Sequence, residues 1–146
     1  MGTKADKCAS APNHRWFGLS LQALVVLSQN CSNCPSAEIA SKVNSEASLI
    51  RKILAMLAKG GLLESREGRE GGYRLKNSAE AITLAEVYTV LQLGEPVCSG
   101  MLETTSCHPF GVEMNTIFGD ITAEIDARIM DVLGKYTIAD LAARIS

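Results

Sequence analysis

Residues 60 to 75 read GGLLESREGREGGYRL, and no other stretch limits the fold as tightly. Gly60 and Gly61 close a helical segment. Leu62-Leu63 opens a short strand, a charged turn holds Arg66, Gly68, Arg69, Gly71 and Gly72, and Tyr73 to Leu75 runs back. Two short apolar runs around a glycine-rich turn form a β-hairpin, because glycine accepts the positive φ that a tight reversal needs.

The segments before the hairpin are helical. Trp16 to Gln29 is almost uniformly apolar and reads as a buried first helix. Asn30 to Pro35 breaks it. Ser36 is a suitable N-cap for a short helix to about Val43, Asn44-Ser45 makes a turn, and Ser45 caps a third helix from Glu46 to Lys59. That helix has two faces. Leu49, Ile50, Ile53, Leu54 and Leu57 recur at three- and four-residue steps and face a core, while Ser48, Arg51, Lys52, Ala55 and Lys59 line the other side. Small, hydroxyl and basic residues on a solvent face let a helix lie closely in the major groove. Such a pattern more often marks only a solvated face. A hairpin directly behind it turns the reading toward the wing of a winged helix-turn-helix.

Charge supports a one-sided docking surface. The formal net charge is −2, yet from Ser48 to Lys76 seven bases stand against three acids, and from Leu84 to Ser146 three bases stand against nine acids. A basic patch on an acidic remainder suits contact with phosphate through one face. No apolar run reaches the roughly 18 residues of a membrane span. The opening MGTKADKCASAPNHR lacks the apolar stretch of a signal peptide, so a cytoplasmic location is expected. Five cysteines without an export signal read as free thiols or metal ligands rather than a disulfide framework.

Beyond the hairpin, Thr83-Leu84-Ala85-Glu86 matches a capping box that opens a helix to about Leu93. Val97 to His108 reads as a loop. The longest helical pattern follows, Phe110 to Leu133, with Phe110, Met114, Ile117, Ile121, Ile125, Ile129 and Val132 along one seam. A seam on a rod of roughly 36 Å is too long for one small core to cover, so a second copy is the natural cover. Thr137 and Asp140 cap a last helix, Ile138 to Ile145. The expected fold class is mostly α with a small β-hairpin. Its parts are an N-terminal arm at 1–13, a winged helix-turn-helix domain at 14–93, a sensor loop at 94–109, and a dimerisation helix with a C-terminal helix at 110–146.

With these parts placed, the chain resembles the Rrf-type family of bacterial winged-helix regulators, which includes IscR, NsrR and CymR. The resemblance spans roughly residues 14 to 145 and rests on ILAMLAKGGLLESREGREGGYRL (53–75), AITLAEVYTVL (81–91) and TIADL (137–141). It implies a homodimeric transcription factor, with no catalytic role, paired through the long helix on a near-palindromic duplex operator. Some members sense iron–sulfur status, nitric oxide or thiol metabolites. Three departures stand out. The family wing often runs Arg-Gly-Pro-Gly-Gly-Gly-Tyr, whereas Glu67 to Tyr73 here moves the arginine to Arg69. Ser48-Leu49-Ile50 replaces a frequent Ser-Tyr-Leu. Cluster-binding members use three cysteines before the long helix, and here only Cys98 and Cys107 are present, with His108 directly after and Phe110 where a histidine would stand.

The expected DNA contacts are Arg15, Ser36, Ser48, Arg51, Lys52, Arg66, Arg69, Tyr73 and Arg74. Arg15 and Lys76 are assigned to phosphate. Ser48, Arg51 and Lys52 are assigned to base edges, where Arg and Lys pair with guanine O6 and N7. One wing arginine is expected to reach the minor groove. Candidate sensor or metal ligands are Cys98, Cys107 and His108, joined by Cys8 and His14 from the N-terminal arm. They serve either an iron–sulfur cluster, which wants four ligands, or a thiol switch, or they are plain loop cysteines with no cofactor. Cys31-Ser32-Asn33-Cys34 lacks a second ligand pair and reads as a surface turn with reactive thiols. A second function remains open: a dimeric redox- or metal-sensing protein whose winged helix contacts protein instead of DNA. No catalytic constellation or phosphate loop is present.

Overall fold

The computed structural model describes residues 13–30, 33–69, 71–91 and 99–145. The described residues divide into two compact units, one running to residue 93 and resuming at 134, the other spanning 94–133.

In the first unit, α1 (His14–Ser28) starts two residues before the expected Trp16, because the Asn13 side chain accepts a hydrogen bond from the Trp16 amide at 3.1 Å and caps it. α2 (Ser36–Lys42) and α3 (Ala47–Lys59) follow. The two serine caps are corrected. Pro35 holds the cap position of α2 and Glu46 that of α3, neither with a side-chain cap bond, so Ser36 is the first helical residue and Ser45 belongs to the turn. That turn is set by Asn44, which adopts φ 54°, while the Ser45 amide reaches back to the Ala40 carbonyl at 3.0 Å. Asn tolerates this left-handed geometry better than most residues, and the reach-back closes α2.

The end of α3 repeats the device. Gly61 takes φ 85° and the Leu62 amide bonds the Leu57 carbonyl at 3.0 Å. The chain then reverses into β1 (Leu63–Arg66) and β2 (Gly72–Leu75), antiparallel with Leu63 opposite Leu75 and Glu64 opposite Arg74. A 3-10 turn (Ala79–Ala81) leads to α4 (Leu84–Val90), whose capping box forms as expected: Thr83 Oγ1 accepts from the Glu86 amide, and the Glu86 carboxylate accepts from the Thr83 amide.

α1 is the hub. It contacts α2, α3, α4, β2 and the last helix, α7 (Ile138–Ile145). Leu24, Ile39, Ile50, Ile53, Leu54, Leu57, Ile82, Val87, Leu91 and Ile138 are fully buried. Each such side chain contributes about 1.5–3 kcal/mol by leaving water. α7, grouped by sequence with the long helix, packs instead on α1 and the 3-10 turn. It is pinned by a backbone bridge between Thr83 and Thr137, in which the Leu84 amide donates to the Tyr136 carbonyl and the Ile138 amide to the Ile82 carbonyl, both at 3.0 Å.

The second unit contains α5 (Ser99–Glu103), a short helix inside the stretch expected to be loop, and α6 (Pro109–Leu133). Asn115 of α6 donates to Thr105 Oγ1 at 2.8 Å. Gly111 and Thr122 are buried along one side of α6, while Phe110, Val112, Ile117, Ile121 and Val132 stand exposed.

Candidate nucleic-acid interface

The two faces of α3 separate as its spacing demands. Ile50, Ile53, Leu54 and Leu57 are buried, Leu49 is half-buried, and Ser48, Arg51, Lys52, Ala55 and Lys59 are all exposed. A cleft runs between the starts of α1 and α3, lined by Arg15, Ser48 and Lys52 together with Asn44, Ser45 and Glu46. Arg15 and Lys52 thus open on one recess and bring two cations side by side. Ser36 is half-buried at the start of α2.

The wing is held at its base by a contact that the sequence did not reveal. Cys34 forms an antiparallel bridge with Tyr73: the Tyr73 amide donates to the Cys34 carbonyl at 2.8 Å, and the Cys34 amide to the Tyr73 carbonyl at 2.9 Å. The segment before α2 therefore adds a one-residue strand to the hairpin. Gly72 is needed for the crossing, since a Cβ there would stand 2.6 Å from the Cys34 carbonyl group and φ is 144°. The backbone of Tyr73 is spent on this bridge, and its ring is half-buried.

This overturns the reading of Cys34 as a reactive surface thiol. It is buried, its Sγ donates to the Glu38 carboxylate at 3.0 Å, and burial, with Glu38 second, pushes its pKa from 9.0 to about 12. A thiol held neutral in this way is a poor nucleophile. Cys31 lies outside the described residues.

The outer face of the wing carries Glu64, Arg66 and Arg74, since 64 and 66 alternate with the inward Leu63. Arg74 Nε and the Glu64 carboxylate form an ion pair at 2.9 Å. Arg66 and Arg69 are exposed, as is Lys76.

Among the described residues the expected sensor set is represented by His14, Cys107 and His108. Cys8 and Cys98 lie outside the described residues. His14 is the first residue of α1, where its ring lies against Tyr88, with Nε2 3.5 Å from the hydroxyl. Cys107 is exposed, and His108 accepts from the Phe110 amide through Nδ1 at 3.2 Å, which holds the first turn of α6. Among the described residues no group of three or more His, Cys, Asp or Glu could hold a metal ion. Cys107 and His108 offer two donors where a cluster needs four, so the described residues do not fit an iron–sulfur group by themselves. Among the same residues no helix is long and apolar enough to cross a membrane.

A family profile described as Rrf2, iron-dependent transcriptional regulator, matches residues 15–144. Solved structures agree on the fold. A protein from Lactobacillus plantarum, described as a candidate transcriptional regulator, is 22% identical with a TM-score of 0.74 over 88% of this chain and 87% of its own. IscR of T. potens is 20% identical with a TM-score of 0.68, over 90% and 85%. CymR, the global cysteine regulator of B. subtilis, is 20% identical with a TM-score of 0.64, over 90% and 95%. No curated protein matches the sequence significantly.

Proposed function

Because the chain belongs to the Rrf2 family of transcriptional regulators, we propose that it acts as a homodimeric repressor that binds a near-palindromic operator and responds to a redox, iron–sulfur or thiol signal. The observation that carries this reading is the exposed face of α3, where Ser48, Arg51 and Lys52 stand clear of the core beside the cleft that also holds Arg15. Base readers on one helix with phosphate ligands at its flank are what a major-groove reader requires.

The dimer is supported by α6. Phe110 is 68% exposed, Ile117 48% and Ile121 45%, on one side of a helix of 25 residues. Such a stripe is stable in water only under a cover, and an identical stripe related by two-fold symmetry provides it. Met114, Ile125 and Ile129 are half-buried and border the same seam. The signal is assigned to the segment 94–109. There Cys107 is exposed and adjoins His108, so a charge or adduct on its sulfur acts on the first turn of α6. An iron–sulfur cluster would need further ligands from Cys98, Cys8 or His14. Protein purified without oxygen shows visible absorbance if it holds one, and is colourless if the thiol alone is the reporter.

Selection of bound sites from a pool of random duplexes tests the reading. The expected motif is two-fold symmetric, with half-sites one helical turn, about 34–36 Å, apart. Enrichment of no motif would favour the alternative of a winged helix that contacts protein.

A further inference from the structure

The wing is electrically self-cancelling, and the pairing within it is specific. Between Glu64 and Arg74 the sequence holds three acids, Glu64, Glu67 and Glu70, and three bases, Arg66, Arg69 and Arg74. A hairpin meant only to grip phosphate gains nothing from that balance, since each acid repels the duplex as strongly as each base attracts it. The arrangement on the hairpin is also uneven. Glu64 and Arg74 are directly opposed across the two strands, and the Arg74 guanidinium meets the Glu64 carboxylate at 2.9 Å. Arg66 lies two residues along the same outer face, opposite Gly72, which has no side chain to meet it. The recess on this face is lined by Asn33, Glu64, Ser65, Arg66 and Arg74, and Glu64 is its one acid.

A carboxylate offers an arginine the same kind of oxygen acceptor that a DNA phosphate does. The pair is well exposed, at 57% for the Arg74 side chain and 44% for Glu64. Exposed pairs of this kind are weak, so a phosphate can compete for the guanidinium. The competition decides how many cations the free wing offers. With Arg74 occupied, only Arg66 and Arg69 are available.

We propose that Glu64 is an intramolecular stand-in for phosphate: it holds Arg74 away from the DNA backbone and so limits the wing's sequence-independent affinity. Specific recognition then rests on α3, and Arg74 is a restrained contact, not a standing one. This inference rests on the DNA-binding reading above and deepens it. Its consequence is selectivity, because a wing that binds any phosphate loosely lets the base contacts of Ser48, Arg51 and Lys52 decide residence.

Binding of a fluorescein-labelled 30-base-pair duplex of random sequence, followed by anisotropy across a salt series, tests the proposal. Each neutralised phosphate adds about 0.9 to the slope of log K against log salt. Glu64→Gln is expected to tighten binding several-fold at low salt and to steepen the slope by up to about 0.9. Arg74→Gln alone bares the Glu64 carboxylate and is expected to weaken binding without lowering the salt slope, since the paired guanidinium neutralises no phosphate, whereas in the Glu64→Gln background it should cancel the gain and return the slope to the wild-type value. All four residue combinations alter exposed positions and leave the core intact, and unchanged thermal melting verifies this. A Glu64→Gln slope equal to wild type, or a gain that persists without Arg74, overturns the proposal. Failure of the underlying reading looks different: wild type then binds no duplex in a salt-dependent way, and Arg51→Ala has no effect on any site.

Discussion

Helices α3 and α6 each carry an apolar stripe at three- and four-residue spacing, and the structure treats the two stripes in opposite ways. On α3 the stripe of Ile50, Ile53, Leu54 and Leu57 is buried to the last residue, and the face opposite is polar and free. On α6 the buried positions are Gly111 and Thr122, while Phe110, Ile117 and Ile121 lie in the open. The same periodicity thus has two meanings. In α3 it states which side is inside, and the polar face proposed to meet DNA is what remains. In α6 the apolar stripe is itself the exposed face, and on the proposed reading it is the one that another chain covers.

The contrast breaks most sharply at α6. Ile117→Glu combined with Ile121→Glu is expected to turn the dimer into a monomer, read by sedimentation, and to weaken operator binding about 10²-fold or more, because linked half-sites lose their mutual effective concentration. Unchanged mass would mean that the stripe serves something else. In α3 the corresponding change on the buried stripe, Leu54→Ala, is expected to destabilise folding by about 2–5 kcal/mol in a denaturant titration while leaving the mass per folded particle unaltered. On the opposite face Arg51→Ala should keep stability and lose about 1–3 kcal/mol of operator affinity, with relaxed preference at one position. Wild-type affinity at fixed salt would remove α3 from the interface.

The smallest effect at neutral pH concerns the two described thiols. Cys107 should react with iodoacetamide at pH 8 in the folded protein, and Cys34 should not. Since the Cys34 thiol stays neutral up to about 12 when folded and titrates near 9.0 when unfolded, its stabilising share is complete below pH 9 and is lost as pH rises toward 12. Cys34→Ala should flatten that alkaline decline in a melting series.

Much of this was legible in the chain. Periodicity placed α3, α6 and their faces, the glycines placed the hairpin, and Thr83 with Glu86 announced a cap that forms as written. These signals are local, so the sequence carries them openly. What escaped was long-range. Cys34 looked like part of a surface turn because nothing nearby shows that Tyr73, far along the chain, supplies its backbone partner. The last helix stands next to α6 in the chain and is grouped with it there, yet Ile138 is buried in the winged unit through a bridge to residues 82–84. Arg74 read as a wing cation until its register set it opposite Glu64. Ser36 and Ser45 were plausible caps by composition, but the cap positions fall one residue to either side of them, at Pro35 and Glu46.

The central claim is that the polar face of α3 reads DNA while the apolar face of α6 joins two copies to do so. The mass of the complex formed with a selected operator duplex, measured by sedimentation at saturation, tests it most directly. Two chains per duplex, falling to weak binding when Ile117 and Ile121 carry charge, is the predicted result. A saturated complex of one chain per duplex, with affinity indifferent to those two positions, would contradict it.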